Sequence, residues 1–237
     1  MLDVHVPHPT HSWKDFFIHI ATITVGLLIA IGLEQTVEAI HRNHQRHQLE
    51  ANLRAECVRN DELLTYDLKF MATRRAESVA LRDQVEAVRR GGAKTQLPDL
   101  PPDSEGDAFK TAEGVWAAAR DSSQLALLPS DLAELYEELY AQPGFLRDFT
   151  FDWFNAGGNV DNFENQFPAR TPSGHLVLTQ LTPEQLTQYS ALLTRYITEN
   201  DRLASADRFY LQEIKIVLDG ATSGEELHRR MIAAPVK

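Results

Sequence analysis

Cysteine is almost missing from this sequence, because Cys57 is the only cysteine among 237 residues. An intrachain disulfide is therefore excluded, and cysteine usage does not indicate a redox compartment. Basic residues are also scarce: 23 Lys and Arg stand against 34 Asp and Glu, which gives a formal net charge of −11. Nucleic acids are bound by basic surfaces, so this charge balance argues against a nucleic-acid partner.

Glycine and proline number only 12 and 11, and both are absent between Leu33 and Arg90. Opposite charges one turn apart, as in Glu38 with Arg42, support a helix there. Apolar residues at roughly helical spacing predict one buried stripe on that helix. The sequence thus predicts a long stalk or bundle helix over 34–90, followed by a turn-rich linker over 91–107.

Charged residues are missing from 16–33, "FFIHIATITVGLLIAIGL". A helix of this length spans about 27 Å, close to the hydrocarbon thickness of a bilayer. Trp13, Phe16 and Phe17 stand at one end, where an interfacial aromatic belt is expected. We predict a transmembrane helix over 16–33 after a short segment 1–15, with a cleaved signal peptide and a buried core helix as the alternatives.

Small residues recur on one face of this span. Thr22, Gly26 and Ala30 follow each other every four residues, and His19 lies one turn earlier near the same face. Small side chains at this spacing let two helix backbones approach closely in lipid, and a histidine can hydrogen-bond across a helix pair. The pattern predicts a helix–helix interface, although glycine and alanine are also simply common in membrane helices.

The chain beyond the linker is predicted to be a helical bundle over 108–237 that packs on 44–90. We expect four helices in this region. The first covers about 108–122, and the second begins at an N-cap at Ser130. The third is an aromatic stretch interrupted at Gly157–Gly158, and the fourth runs from a capping box at Thr182 to Asp219. The last of these has a heptad seam, interrupted by Asp207, that predicts antiparallel packing on another helix. The seam comprises Leu186, Tyr189, Leu193, Tyr196, Asn200, Leu203, Tyr210, Ile214 and Val217. The predicted class is all-α: one transmembrane helix that continues into a coiled-coil-like, water-soluble antiparallel bundle.

Seven aromatic residues concentrate in the fourth of these stretches and its continuation. Core packing is the favoured interpretation, because aromatic side chains dominate core burial, and a partner surface or ligand pocket is the alternative. The group comprises Phe145, Phe149, Phe151, Trp153, Phe154, Phe163 and Phe167.

Histidines and glutamates form weak candidates for a metal site. Glu38-x-x-His41 and Glu225-x-x-His228 match the half-motif of di-iron helical bundles, and His44 lies one turn after His41. Matches of this kind are expected by chance in a chain with nine histidines. A solvated cluster is therefore favoured over a metal site or a pH sensor, and no catalytic residue or cofactor is predicted.

Two stretches resemble a bacterial family of single-span membrane proteins of unknown function. The first is "WKDFFIHIATITVGLLIAIGLEQTVEAIHRNHQRHQLEANLRAE", in which an aromatic and charged entry leads into a "GxxLA"-like span and a long charged helix. The second is "WAAARDSSQLALLPSDLAELYEELY", from Trp116 to Tyr140. The resemblance implies a bacterial inner-membrane protein with a cytoplasmic amino terminus and a periplasmic helical domain, and it implies no activity.

The sequence lacks a Gly-x-Ser-x-Gly motif, a phosphate-binding glycine loop and a cysteine-rich zinc pattern, which lowers the expectation of an enzyme. We therefore expect a non-enzymatic protein that is anchored in a lipid bilayer and binds another membrane protein or a second copy of itself. The alternatives are a ligand or pH sensor that signals laterally to a partner, and a membrane-bound di-iron or other metal enzyme.

Overall fold

The structure, a computed structural model, describes residues 13–92, 109–171 and 174–233. Its regular elements are α1 (Trp13–Arg89), α2 (Gly114–Asp121), α3 (Ser130–Leu139), α4 (Gln142–Glu164), α5 (Pro183–Leu218) and α6 (Gly224–Ala233), with two short 3-10 turns and one isolated bridge. No strand occurs in these ranges, so the predicted all-α class is confirmed. The predicted segment 1–15 lies mostly, and the linker 91–107 almost wholly, outside the described residues.

The chain divides into two compact units, residues 1–49 and residues 50–237. Helix α1 contributes residues to both units. The finer division that the sequence suggests, with boundaries near 15, 33, 90 and 107, stays a prediction. Within the second unit the core is formed mainly by α1, α4 and α5.

In the second unit, α1 and α5 lie antiparallel, as the seam predicts. Near the start of this part of α1, the Arg54 guanidinium donates to the carbonyl oxygen of Leu218, at the end of α5. Further along α1, the pairing has moved back along α5: the Asn200 amide donates to the carbonyl oxygen of Met71 at 3.2 Å. Partners that move backwards on α5 as α1 advances define antiparallel helices.

The start of α5 is fixed by its own sequence. Thr182 accepts from the Gln185 amide, and the Gln185 side chain accepts from the Thr182 amide at 2.9 Å, so the predicted capping box is confirmed. The prediction for α3 is wrong by one residue. Pro129, with φ −54° and ψ 144°, is the N-cap, and Ser130 is the first helical residue.

Helix α2 is shorter than predicted, because residues 109–113 are not helical. Their backbone is bound by side chains of α1 instead of by a helical turn of their own. The Asp67 carboxylate accepts from the Phe109 amide at 3.0 Å. The Asn60 side chain accepts from the Ala112 amide at 2.6 Å and donates to the Ala112 carbonyl at 2.9 Å.

Helix α4 runs without a break through Gly157 and Gly158, so the predicted interruption there is wrong. Each glycine costs about 1 kcal/mol relative to alanine inside a helix. Burial of Trp153, Val160 and Phe163 along α4 outweighs this cost, since an apolar side chain of this size contributes about 1.5–3 kcal/mol.

Candidate functional site

The apolar segment Phe16–Leu33 belongs to the first unit and is exposed along its whole length. Its large apolar side chains are between 42% and 70% exposed. The most apolar window of α1 has a mean hydropathy of 2.3 and no buried residue, so by length and composition it is able to cross a membrane. A signal sequence has the same composition, whereas a core helix is buried.

The predicted aromatic belt forms one cluster at the start of α1. The ring centroid of Trp13 lies 6.0 Å from those of Phe16 and Phe17, which are 5.8 Å from each other. All three side chains are more than half exposed. An indole and two phenyl rings at one end of an apolar helix are typical of a membrane–water interface.

The polar side chains of the predicted helix–helix face bond to their own helix. His19 Nδ1 lies 2.7 Å from the Asp15 carbonyl oxygen, and the Thr22 hydroxyl donates to the Ile18 carbonyl at 2.8 Å. Such bonds satisfy polar groups where no water is present. A Cβ atom placed on Gly26 would meet no other atom within 4 Å. This face, which also includes Ala30, is therefore open in the described chain.

The metal candidates are exposed and fall in different units. Glu38, His41 and His44 belong to the first, and Glu225 and His228 to the second. Glu38 forms an ion pair with Arg42 one turn later, not with a histidine. Across the described ranges no three His, Cys, Asp or Glu side chains are grouped in a way that could hold a metal ion.

The seam residues of α5 are buried, except that Tyr196 is half-buried. The polar members are included: Asn200 is 1% exposed and Asp207 is 2% exposed. Asn200 Oδ1 and Asp207 Oδ2 have no hydrogen-bond partner among the described residues. Two polar side chains with unsatisfied oxygens therefore lie in the contact between α5 and its neighbours.

Burial raises the pKa of three carboxyl groups in this unit. Burial, and then the charge of Asp67, raise the pKa of Asp207 to about 8. Burial and the charge of Glu138 raise the pKa of Glu213 to about 8. Burial raises the pKa of Asp67 to about 6, although its hydrogen bond from Phe109 acts in the opposite direction. These groups change charge within the physiological range.

The polar side chains of α1 that hold the segment before α2 were not predicted from the sequence. Besides Asn60 and Asp67, Glu56 accepts from the Val115 amide at 2.7 Å, from the Trp116 amide and from the Tyr140 hydroxyl at 2.7 Å. Glu56 thereby satisfies amides at the start of α2 and stabilises the positive end of its dipole. The sequence pattern that could have indicated this role is the position of Glu56, Asn60 and Asp67, which are interleaved with the apolar stripe of α1 at helical spacing.

The aromatic group is divided between core and surface, so the core interpretation is only partly correct. Trp153 and Phe163 are buried, and Phe149 and Phe167 are half-buried. The other three are exposed: Phe145 by 62%, Phe151 by 66% and Phe154 by 57%.

An apolar groove between α4 and α5 accounts for one of these exposed rings. Its volume is about 720 Å³, and it is lined by Phe145, Phe149 and Phe209, among others. Phe209 on α5 is itself 48% exposed. Exposed aromatic rings beside a groove are typical of a binding surface.

Comparisons of the chain with protein-family models, with curated proteins and with solved structures found no match. The resemblance to the bacterial single-span family therefore stays a prediction, and the function must be argued from the residues.

Proposed function

We propose that this chain is a non-enzymatic, single-pass membrane protein whose helical unit binds another membrane protein or a second copy of the chain. The observation that carries the proposal is the exposed apolar segment 16–33, because 18 uncharged residues in a row match the thickness of a bilayer. Exposure of these apolar side chains to water is unfavourable. In lipid, each of them contributes favourably.

The orientation that we propose follows the family resemblance. The amino terminus lies in the bacterial cytoplasm, the segment 16–33 crosses the inner membrane, and the helical unit lies in the periplasm. The acidic balance of the chain fits a water-facing unit that does not bind nucleic acid.

Two surfaces support the binding role. The first is the open face of His19, Thr22, Gly26 and Ala30, which lets a second helix approach closely in the membrane. The second is the groove between α4 and α5, where exposed phenyl rings of the kind that anchor protein interfaces surround a concave surface. Each surface is tested separately.

The test of the membrane face is purification in mild detergent with a matched pair of variants. Gly26 and Gly32 both have open space where a Cβ atom would lie, but they lie about 120° apart around the helix. Gly26→Leu is expected to lower the recovery of the oligomer or stoichiometric partner, whereas Gly32→Leu leaves it unchanged. A clean monomer from the unaltered chain contradicts the proposal.

The test of the groove uses the same assay. Phe145→Ser removes a ring at the groove, and Phe151→Ser removes an equally exposed ring that does not line it. We expect the first variant to lose partner recovery and the second to retain it. Equal recovery with both variants would remove the groove from the proposal and leave the membrane face as the only binding surface.

A further inference from the structure

A second hollow, of about 510 Å³, lies in the unit of residues 50–237 between α1, α4 and α5. It differs from the groove described above because three helices form it instead of two, and its lining combines aromatic rings with charged side chains. The rings come from all three helices, and the charged groups come from α1 and α4. A concave site of this size holds a small organic molecule.

Aromatic rings form a continuous wall around Trp153. The centroid of its indole lies 5.0 Å from that of Phe154, 5.5 Å from that of Tyr196 and 6.3 Å from that of Phe70. The wall already receives a cation, since the Arg74 guanidinium lies 5.2 Å from the centroid of Phe70. The faces of such rings carry negative partial charge and attract cations.

The Arg, Glu and Asp side chains of the hollow carry one more negative than positive charge, and His175 also lines it. Arg74 Nη1 lies 3.5 Å from Glu77 Oε2, so one cation is paired with one carboxylate. Asp161 also lines the hollow, and none of the described Lys or Arg side chains forms an ion pair with it. Burial raises the pKa of the Tyr196 phenol, and the charges of Arg74, Asp161 and Glu77 all act on it. The three charged groups therefore lie close enough to the Tyr196 phenol to affect its pKa.

Gly158 opens the hollow from the side of α4. A glycine in the middle of a helix is unfavourable by about 1 kcal/mol relative to alanine. Its neighbour Gly157 has a packing reason, because a Cβ there would lie 3.3 Å from Cε2 of Tyr196. Gly158 has no such reason, since a Cβ there would meet nothing within 4 Å. The absence of a side chain at Gly158 leaves space in the hollow, and packing of the fold does not require that space.

We propose that this hollow binds a small organic cation that carries an aromatic group, such as an arylalkylammonium. The aromatic part of the ligand packs on Trp153 and Phe154, and its positive charge lies near Asp161. The inference goes beyond the proposed function, because neither the membrane face nor the groove between α4 and α5 takes part in it.

The test uses the full chain in mild detergent and three probes of similar size, at constant ionic strength. The probes are benzyltrimethylammonium chloride as the cation, benzyl alcohol as the neutral molecule and sodium phenylacetate as the anion. Binding is followed by isothermal titration calorimetry and by intrinsic tryptophan fluorescence, to which Trp153 contributes together with Trp13 and Trp116. For a ligand of this size we expect a Kd of about 0.1–1 mM for the cation, and binding at least about tenfold weaker for the other two.

Two substitutions on one helix provide the matched control. Gly158→Leu places a side chain into the hollow. Gly144→Leu adds the same side chain elsewhere on α4, at a position that does not line the hollow. A Cβ atom at Gly144 would also meet no other atom within 4 Å. We expect Gly158→Leu to weaken cation binding by more than about tenfold without lowering the melting temperature, because leucine favours a helix more than glycine. Gly144→Leu is expected to bind as the unaltered chain does, which also corrects for the uptake of probe by detergent.

A third variant keeps the test decisive if Gly158→Leu does not fold. Asp161 is exposed, so Asp161→Asn leaves the fold unchanged, and we expect it to weaken binding of the cation by about three- to tenfold. The inference is overturned if the cation does not saturate the chain by about 10 mM. Equal or tighter binding of phenylacetate, or unchanged cation binding in both Gly158→Leu and Asp161→Asn, also overturns it.

Discussion

The two parts of helix α1, one in each unit, differ in how far the same types of apolar residue are buried. In the first unit Leu28 is 62% exposed, and in the second unit Leu64 is 2% exposed. Around Leu28 the apolar residues cover all faces of the helix, whereas around Leu64 they form one stripe with polar residues on the other faces. A stripe is buried by a neighbouring helix, while an apolar surface on all sides is suited to lipid. The distribution of apolar residues around the helix, more than their number, separates the two regions.

The largest expected effect comes from one substitution made in both regions. Leu64→Ala leaves a cavity in a closely packed core, so we expect it to lower the free energy of unfolding by about 2–5 kcal/mol. Leu28→Ala removes no contact within the bundle and is expected to change that value by less than about 0.5 kcal/mol. Denaturant unfolding of both variants in detergent, followed by circular dichroism, measures the difference. Similar losses for the two variants would mean that Leu28 is also packed within the protein.

The next effect concerns pH and is confined to the second unit. The carboxyls of Asp207 and Glu213 have pKa values of about 8 in the folded chain, against about 4 when exposed to water. The folded state therefore holds more protons than the unfolded state between these values, and the free energy of unfolding falls as the pH rises through this window. We expect a loss of about 2–4 kcal/mol between about pH 5.5 and pH 8.

Asp207→Asn is expected to flatten this dependence and to stabilise the fold at about pH 8, because an amide does not ionise. Asp201→Asn is the matched control on the same helix, since the Asp201 carboxylate is exposed and pairs with Arg75 at 2.6 Å. Urea midpoints at the two pH values give the comparison. A slope that stays the same in Asp207→Asn would show that this carboxyl is not the source.

The smallest of the three effects tests how α1 holds the segment before α2. Glu56→Ala leaves the amides of Val115 and Trp116 and the hydroxyl of Tyr140 without their acceptor. We expect a loss of about 2–3 kcal/mol in the free energy of unfolding. Glu62→Ala, at an exposed position further along the same helix, is expected to stay within about 0.5 kcal/mol of the unaltered chain. A loss of the same size in both variants would contradict the structural role of Glu56.

Local patterns made much of the fold predictable. The capping box at Thr182 and the alternating steps of three and four along α5 lie within one continuous segment. The start of α5 and the face that it buries therefore follow from the residues of that segment. The interruption of α4 was wrongly predicted because glycine disfavours a helix locally, whereas burial of Trp153 and Phe163 against distant parts of the chain decides the result.

The exposed rings of α4 could have been assigned from the same spacing. Leu146, Trp153, Ala156, Val160 and Phe163 are buried and follow helical steps, which leaves Phe145, Phe151 and Phe154 on other faces. The contacts of Glu56, Asn60 and Asp67 could not have been assigned in this way. Each joins residues at least 42 positions apart, and a single sequence does not indicate which distant backbone a polar side chain will bind.

The most direct test of the account is extraction of membranes with alkaline carbonate, from cells that produce the full chain with a carboxyl-terminal tag. Lipid around the residues from Phe16 to Leu33 predicts that the tagged chain stays in the pellet at its full mass of 26.7 kDa plus the tag. Release of the intact chain into the supernatant would contradict the account. So would a chain shortened just after residue 33, since that product would identify the apolar segment as a cleaved signal sequence.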